Sequence, residues 1–290
     1  MSIKLEHISY TYSAGTPFER QALRDISINV DKGEIVALIG HTGSGKSTLV
    51  QHLNGLLHPD NGRAEIDGVD LAGKNAQAKA ARQQVGMVFQ YPEHQIFAET
   101  VFEDIAFGPR NKGMSEDEVQ RQVREAMAFV GLDYDTFAQR TPFRLSGGQM
   151  RRVAIAGVVA MAPDYLVLDE PSAGLDPRSR DAVFREVMAL HKSRGIAIVL
   201  VTHSMEEAAL YADRIVVVND GEVLFDGKPV DIFRKHRDEL LQVGLDVPQS
   251  VKLAALLRQR GLALTEDIMT DGELIRQLKK ITGAREGKKC

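Results

Sequence analysis

Residues 40–48, GHTGSGKST, could hold a phosphate with backbone donors alone. Gly40, His41, Thr42, Gly43, Ser44, Gly45, Lys46 and Ser47 fit the pattern G-x-x-x-x-G-K-[ST]. Glycines at 40, 43 and 45 allow a tight loop whose N–H groups turn toward an anion. A helix beginning near Lys46 would aim its free N–H groups and positive dipole end at the same point. Lys46 adds a mobile cation for the β- and γ-phosphates, and Ser47 a hydroxyl for Mg²⁺. A second constellation closes the apolar run Tyr165–Leu168, where Asp169 and Glu170 stand side by side. A strand interior resists charge, so two acids at its end are suited to chemistry: Asp169 to support Mg²⁺, Glu170 to polarise an attacking water.

Gln90 and His203 end two further apolar runs, Val85–Phe89 and Ile196–Val201. Parallel strands deliver their carboxyl ends to one rim, where ligands bind. If these strands are parallel, Gly40, Gln90, Glu170 and His203 meet there. His203 then becomes a γ-phosphate contact and Gln90 a ligand of Mg²⁺ or water. Leu145-Ser146-Gly147-Gly148-Gln149 opens another helix and would make a second anion-binding end. One nucleotide cannot easily use both ends within one chain, and a plain N-cap followed by glycines is the alternative reading.

The elements that must position these groups follow from periodicity. Alternation over Ile3–Tyr12 and Ile26–Val30 predicts antiparallel strands, and the continuous run Ile35–Ile39 a strand buried on both faces. Leu49, Val50, Leu53, Leu56 and Leu57 have helical spacing up to His58–Gly62. Residues 63–71 read as a hairpin around Asp67-Gly68, and 215–225 as another around Asn219-Asp220-Gly221. Val101–Phe107 is a short amphipathic piece, and Ser115 with Glu118 forms a capping box. Helices are expected over 178–194, 205–212 and 249–260, the last closed by Gly261, and from Thr270 with Glu273 as its box. The tail REGKKC is expected to be disordered.

Composition bounds the rest. The chain has 290 residues, 43% hydrophobic and 26% charged, enough for one large domain with an appendage. A net charge of −4 argues against nucleic acid as a partner. The single cysteine, Cys290, excludes an intrachain disulfide and suits a reducing compartment. The amino terminus lacks a signal-peptide apolar block, and the chain is expected to be soluble by itself.

LSGGQ at 145–149 resembles the signature motif of ATP-binding cassette (ABC) ATPases. GHTGSGKS then matches Walker A, YLVLDE Walker B, Gln90 the Q-loop, Ser172–Asp176 the D-loop and His203 the switch histidine. The resemblance covers residues 3–230. It implies an α/β fold: a P-loop NTPase core of mostly parallel sheet with flanking helices, an antiparallel β subdomain, an α-helical signature subdomain and a small C-terminal helical extension. Composition shifts near residue 236, so domains are expected over 1–235 and 236–290, the second a small helical dimerisation element. The resemblance also implies a head-to-tail dimer with ATP between the P-loop of one subunit and the signature of the other.

By the same resemblance, the loop 40–45 with Lys46, Ser47 and Thr48 binds the phosphates of ATP and Mg²⁺. Asp169 supports the metal and Glu170 is the general base. Ser146, Gly148 and Gln149 serve the opposite nucleotide, and Asp176 reaches across the dimer. Tyr12 matches the aromatic that stacks on adenine, with Tyr10 and Phe18 as competitors. QYPEHQIFAETVFEDIAFGPRN at 90–111, THSMEEA at 202–208 and LDVPQSVKLA at 245–254 look like energy-coupling factor (ECF) transporter ATPases, most like the second of the paired type. That implies vitamin or micronutrient uptake, a second homologous ATPase, a transmembrane coupling subunit received near Pro92–Phe97, and a separate substrate-binding membrane subunit. It also implies a peripheral position on the cytoplasmic face of the membrane. A homodimeric cobalt or nickel importer is the related alternative. A soluble repair or translation ATPase is disfavoured, because only 100 positions separate Lys46 from Ser146, without sustained heptads, and there is one cassette.

Overall fold

The computed structural model describes residues 1–286. The chain begins with β1 (Ser2–Tyr12) and β2 (Arg20–Asp31), paired antiparallel, and then enters β3 (Ile35–Ile39) and α1 (Lys46–Leu53). Next come β4 (Asn61–Ile66), β5 (Val69–Asp70), α2 (Ala76–Arg82) and β6 (Val85–Val88). A helical lobe follows: α3 (Val101–Asn111), α4 (Glu116–Phe129), α5 (Tyr134–Phe137) and α6 (Gly147–Val159). The chain returns through β7 (Tyr165–Asp169), α7 (Pro177–Arg194), β8 (Ala197–Val201), α8 (Met205–Tyr211), β9 (Arg214–Asn219) and β10 (Glu222–Gly227). It closes with α9 (Pro229–Lys235), α10 (Arg237–Gln242), α11 (Gln249–Gln259) and α12 (Asp271–Glu286).

Two sheets result. One has the order β2-β1-β4-β5 and is antiparallel; the other has the order β10-β9-β3-β8-β7-β6. In the second, β9, β3, β8, β7 and β6 run parallel, and β10 joins antiparallel. Alternation within its strands separates two cores. Leu166, Leu168, Ile198 and Leu200 pack against α3, α4, α6 and α7. Tyr165, Val167, Val199 and Leu38 face the antiparallel sheet and α1. Burial on both faces is why β3, β7 and β8 are apolar at every position except the closing Asp169.

The C-terminal helices complete the first of these faces. Ala37, Ile39, Ile215 and Val217 are covered by Phe233, Leu240, Leu245, Val247 and Val251. His236, between α9 and α10, stacks on Phe225 of β10 with ring centroids 3.9 Å apart. A second, small cluster, Ala254, Leu264, Ile268 and Leu274, joins α11 to α12.

Several boundaries differ from the periodic reading. The first helix ends at Leu53, because Asn54 caps it and Gly55 takes φ +70°; Leu56 is left exposed. The amphipathic piece from Val101 continues to Asn111, carrying Pro109 in its last turn. Helices α2, α5, α9 and α10 have no counterpart in the sequence reading. Cys290 and the end of the REGKKC tail lie outside the described residues; Arg285 and Glu286 belong to α12.

Candidate active site

The phosphate-type loop runs from β3 into α1. Gly45 sits at the N-cap with φ +109°, and a Cβ there would lie 2.7 Å from the Ala22 carbonyl oxygen. At Gly40 a Cβ would lie 2.2 Å from the Val218 carbonyl oxygen. The first turn of α1 carries no acidic residue and no side-chain cap, so its N–H groups stay available to an anion. Lys46 is buried and folds back: Nζ donates to the Gly40 and His41 carbonyls at 2.8 and 2.9 Å and contacts Ser44 Oγ at 3.4 Å. Burial lowers its pKa, while Glu170 and Asp169 pull the other way. His41 donates through its ring to the Thr42 carbonyl, at 2.8 Å.

Parallel pairing of β3, β8, β7 and β6 brings their carboxyl ends to one rim. There Gln90 Nε2 donates to Glu170 Oε2 at 2.7 Å, and His203 Nε2 lies 2.7 Å from Glu170 Oε1. Glu170 takes φ +49°, an uncommon backbone for a non-glycine residue, of the kind that clusters at active sites. Its N–H donates to the Val201 carbonyl at 2.9 Å, which ties the end of β7 to the end of β8. Asp169, one residue earlier, is buried near the Ser47 hydroxyl. Burial first, and then the Glu170 charge, push its carboxyl up from the usual range. Beside His203, buried Thr202 donates to buried Glu207 at 2.6 Å and accepts from the Ser204 N–H at 3.0 Å.

These groups surround one cleft of ≈ 380 Å³. Its wall includes Tyr12, Thr42, Gly43, Gly45, Lys46, Ser47, Thr48, Gln90, Glu170 and His203. Tyr12 is half-exposed there, and its hydroxyl is 3.2 Å from Thr48 Oγ1. Tyr10 stands edge-on behind it at 4.9 Å, packed on the core, and Phe18 is 83% exposed and off the cleft wall.

Eight expected residues do not line this cleft: Gly40, His41, Ser44 and Asp169 adjoin its wall along the chain, whereas Ser146, Gly148, Gln149 and Asp176 lie on other elements. Ser146 caps α6, accepting from the Gln149 N–H at 3.3 Å, while the Gln149 side chain accepts from the Ser146 N–H at 3.0 Å. Gly147 and Gly148 are exposed, and the first turn of α6 is free of acids. Asp176 caps α7, accepting from the N–H groups of Arg178 and Ser179 at 3.0 and 3.2 Å.

Two cations were missed from sequence. Arg20 reaches the cleft wall and donates to the Gly43 carbonyl at 3.2 Å; it lies beyond a loop and nothing local marked it. Arg151 is buried beneath the Gln90 and Glu170 loops. Its signal was present: it stands on the Arg151, Ile155, Val158 stripe, the apolar face of α6.

The chain was compared with known proteins. The family model for the ABC transporter matches residues 23–173. The energy-coupling factor transporter ATP-binding protein EcfA2 of Clostridium perfringens (strain 13 / Type A) is 51% identical over 270 residues, 93% of this chain and 94% of that protein. The EcfA2 of Clostridium tetani (strain Massachusetts / E88) is 49% identical over 281 residues, 97% of each chain. Among solved structures, cbiO1 from Clostridium perfringens, described as part of the ABC transporter complex cbiONQ, superposes with TM-score 0.70 at 36% identity, covering 83% of this chain and 96% of that one. A dimeric post-hydrolysis ATP-binding cassette bound to ADP and Pi superposes with TM-score 0.70 at 30% identity, covering 78% and 98%.

Proposed function

This chain belongs to the ABC transporter family, and from that premise we propose that it binds and hydrolyses ATP as the ATP-binding subunit of an energy-coupling factor importer. One observation carries the chemistry. Four strand ends deliver Lys46, Gln90, Glu170 and His203 into a single cleft, with Glu170 hydrogen-bonded from both sides.

The phosphates of ATP lie on the loop 40–45 and the first turn of α1, with Lys46 turned from the Gly40 and His41 carbonyls toward them. Thr48 closes that turn, and Tyr12 stacks on the adenine. Glu170 takes the proton of an attacking water. Each of its oxygens accepts one hydrogen bond and keeps a lone pair for that proton. Gln90 and His203 orient the carboxylate, and His203 also contacts the γ-phosphate. Catalysis here is water positioning and charge stabilisation in a preorganised cleft.

The donors around Ser47 suit Mg²⁺. A hydroxyl, the Asp169 carboxylate and the Gln90 amide are hard oxygen ligands. No group of three or more His, Cys, Asp or Glu that could cage a metal occurs among the described residues. That matches an ion which keeps several waters and is held mainly by substrate phosphates. When bound, it would neutralise charge developing on the β- and γ-phosphate oxygens.

The exposed start of α6 lies off the cleft, and this supports a head-to-tail dimer. Ser146, Gly148 and Gln149 of one subunit then serve the nucleotide of the other, and Asp176 crosses the interface. The partner is a second homologous ATPase. The membrane coupling subunit docks beside Gln90, in a groove where Phe97 and Phe107 are 60% and 50% exposed and meet edge-on at 4.9 Å. Pro92 and Ile96 are buried, so only part of the 92–97 segment is available to it. A second membrane subunit, which binds the substrate, completes the importer, at whose cytoplasmic face this chain resides. No helix among the described residues is long and apolar enough to cross a membrane. Residues 236–290 form the dimerisation element.

A mild-detergent pull-down of the tagged chain from its native cells tests the assembly. A second, similar ATPase with two kinds of membrane protein is expected. A membrane partner without a second ATPase would replace this reading with a homodimeric metal importer. ATPase activity with no membrane protein would remove the transport role.

A further inference from the structure

Arg151 is 4% exposed, and the Glu93 carboxylate is the leading negative charge acting on it. Its guanidinium is held by backbone carbonyls from three places. Nη1 donates to the Ala173 carbonyl at 2.8 Å, and Nη2 to the Gln90 carbonyl at 3.2 Å, with the Glu170 carbonyl 3.5 Å away. Gln90 and Glu170 are also joined through their side chains. A ring therefore closes: guanidinium, Gln90 backbone, Gln90 amide, Glu170 carboxylate, Glu170 backbone, guanidinium.

Arg151 Nε is buried with no hydrogen-bond partner, so the grip rests on the two Nη groups, and a buried cation held in this way is demanding of geometry. A planar fork fixes the relative position of two carbonyls, which a lysine ammonium cannot do. Arg151 also lies one turn into α6, whose N-terminus presents Ser146 and Gly148. One side chain thus touches both catalytic loops of this subunit's cleft and belongs to the helix proposed to serve the facing nucleotide.

We propose that Arg151 is a positioning residue that clamps α6 to the Gln90 and Glu170 loops, so that the orientation of Glu170 and the placement of Ser146 and Gly148 change together. The inference rests on the reading of Glu170 as the base. Displacing the Gln90 loop from outside would pull on the Arg151 fork, and α6 would follow.

The test compares Arg151→Lys, Arg151→Met, Glu170→Gln and the double variant Arg151→Lys/Glu170→Gln. The full chain is assayed in the complex co-purified from its native cells, with kcat and KM for ATP determined separately. Arg151→Lys should lower kcat about tenfold or more, with KM for ATP little changed, and Arg151→Met should lower kcat further. In the double variant the loss should be no greater than in Glu170→Gln alone, because both changes disable the same group. Near-normal turnover in Glu170→Gln overturns the reading of the base, and the inference with it. A large loss in Glu170→Gln beside unchanged kcat in Arg151→Lys, or losses that multiply in the double variant, overturns the role of Arg151 alone. Loss of ATP binding in Arg151→Lys also overturns it, because that result marks a plain structural residue.

Discussion

A carboxylate gripped by an amide on one oxygen and an imidazole on the other is oriented before any substrate arrives. That is the state of Glu170, between Gln90 and His203 at 2.7 Å each. Glu170→Gln is expected to lower turnover about 10²–10⁴-fold while ATP binding persists, as measured by steady-state hydrolysis in the assembled complex. Its neighbour Asp169 illustrates the opposite tension. Burial and the adjacent charge raise its carboxyl pKa, so in the nucleotide-free chain the ionised form is disfavoured relative to the unfolded state. The contribution of this group to stability is then full below the ordinary carboxyl pKa of about 3.9 and is lost as pH rises through the raised value. Asp169→Asn should stabilise the nucleotide-free chain at neutral pH, a gain that shrinks toward pH ~4, and should abolish any Mg²⁺ dependence of ATP binding. Thermal melts across pH, with and without Mg²⁺ and ATP, would show both; a destabilised variant at pH 7 would contradict the argument.

At the scale of elements, strand ends and helix starts do the positioning. The β3–α1 junction works because Gly45 adopts φ +109° against the Ala22 carbonyl and Leu23. Gly45→Ala forces a methyl into that contact at a positive φ. It should cost about 2 kcal/mol or more of stability and weaken ATP binding about tenfold or more, read by calorimetry and denaturant titration. Wild-type affinity would mean that the loop has room that the structure does not have. Capping residues that lay in plain view did set helix starts: Ser115 with Glu118, Ser146 with Gln149 and Thr270 with Glu273 all form reciprocal boxes. Ends were less legible. Leu56 and Leu57 keep helical spacing, but Gly55 just before them, at φ +70°, ends the helix first.

At the scale of the molecule, pairing is the open quantity. Cutting the chain at 236 would strip Leu240, Leu245, Val247 and Val251 from the cluster over β3 and β9, so a truncation would confound folding with pairing. Surface variants separate the two. Leu253 and Leu256, three apart on α11, are 46% and 57% exposed. Changing both to Ser should leave stability within about 0.5 kcal/mol and weaken pairing with the second ATPase about tenfold, by light scattering on the purified pair. Unchanged assembly would take α11 out of the dimerisation surface.

Local chemistry is written in local sequence. The loop 40–48, the acids closing β7, the double-buried runs at 35–39 and 197–201 and the Gly-bearing hairpins each depend on residues within a few positions of one another, so they were readable from order and spacing. Only the tertiary structure decided which distant groups meet. The parallel register of β6, β7, β8 and β3 placed Gln90 and His203 on the two oxygens of Glu170. Long-range packing laid the C-terminal helices over β3 and β9 and sank Arg151 beneath carbonyls up to 61 residues away in sequence. Backbone carbonyls are the same at every residue. A contact built on them leaves no side-chain mark on the partner, and only the folded chain reveals it.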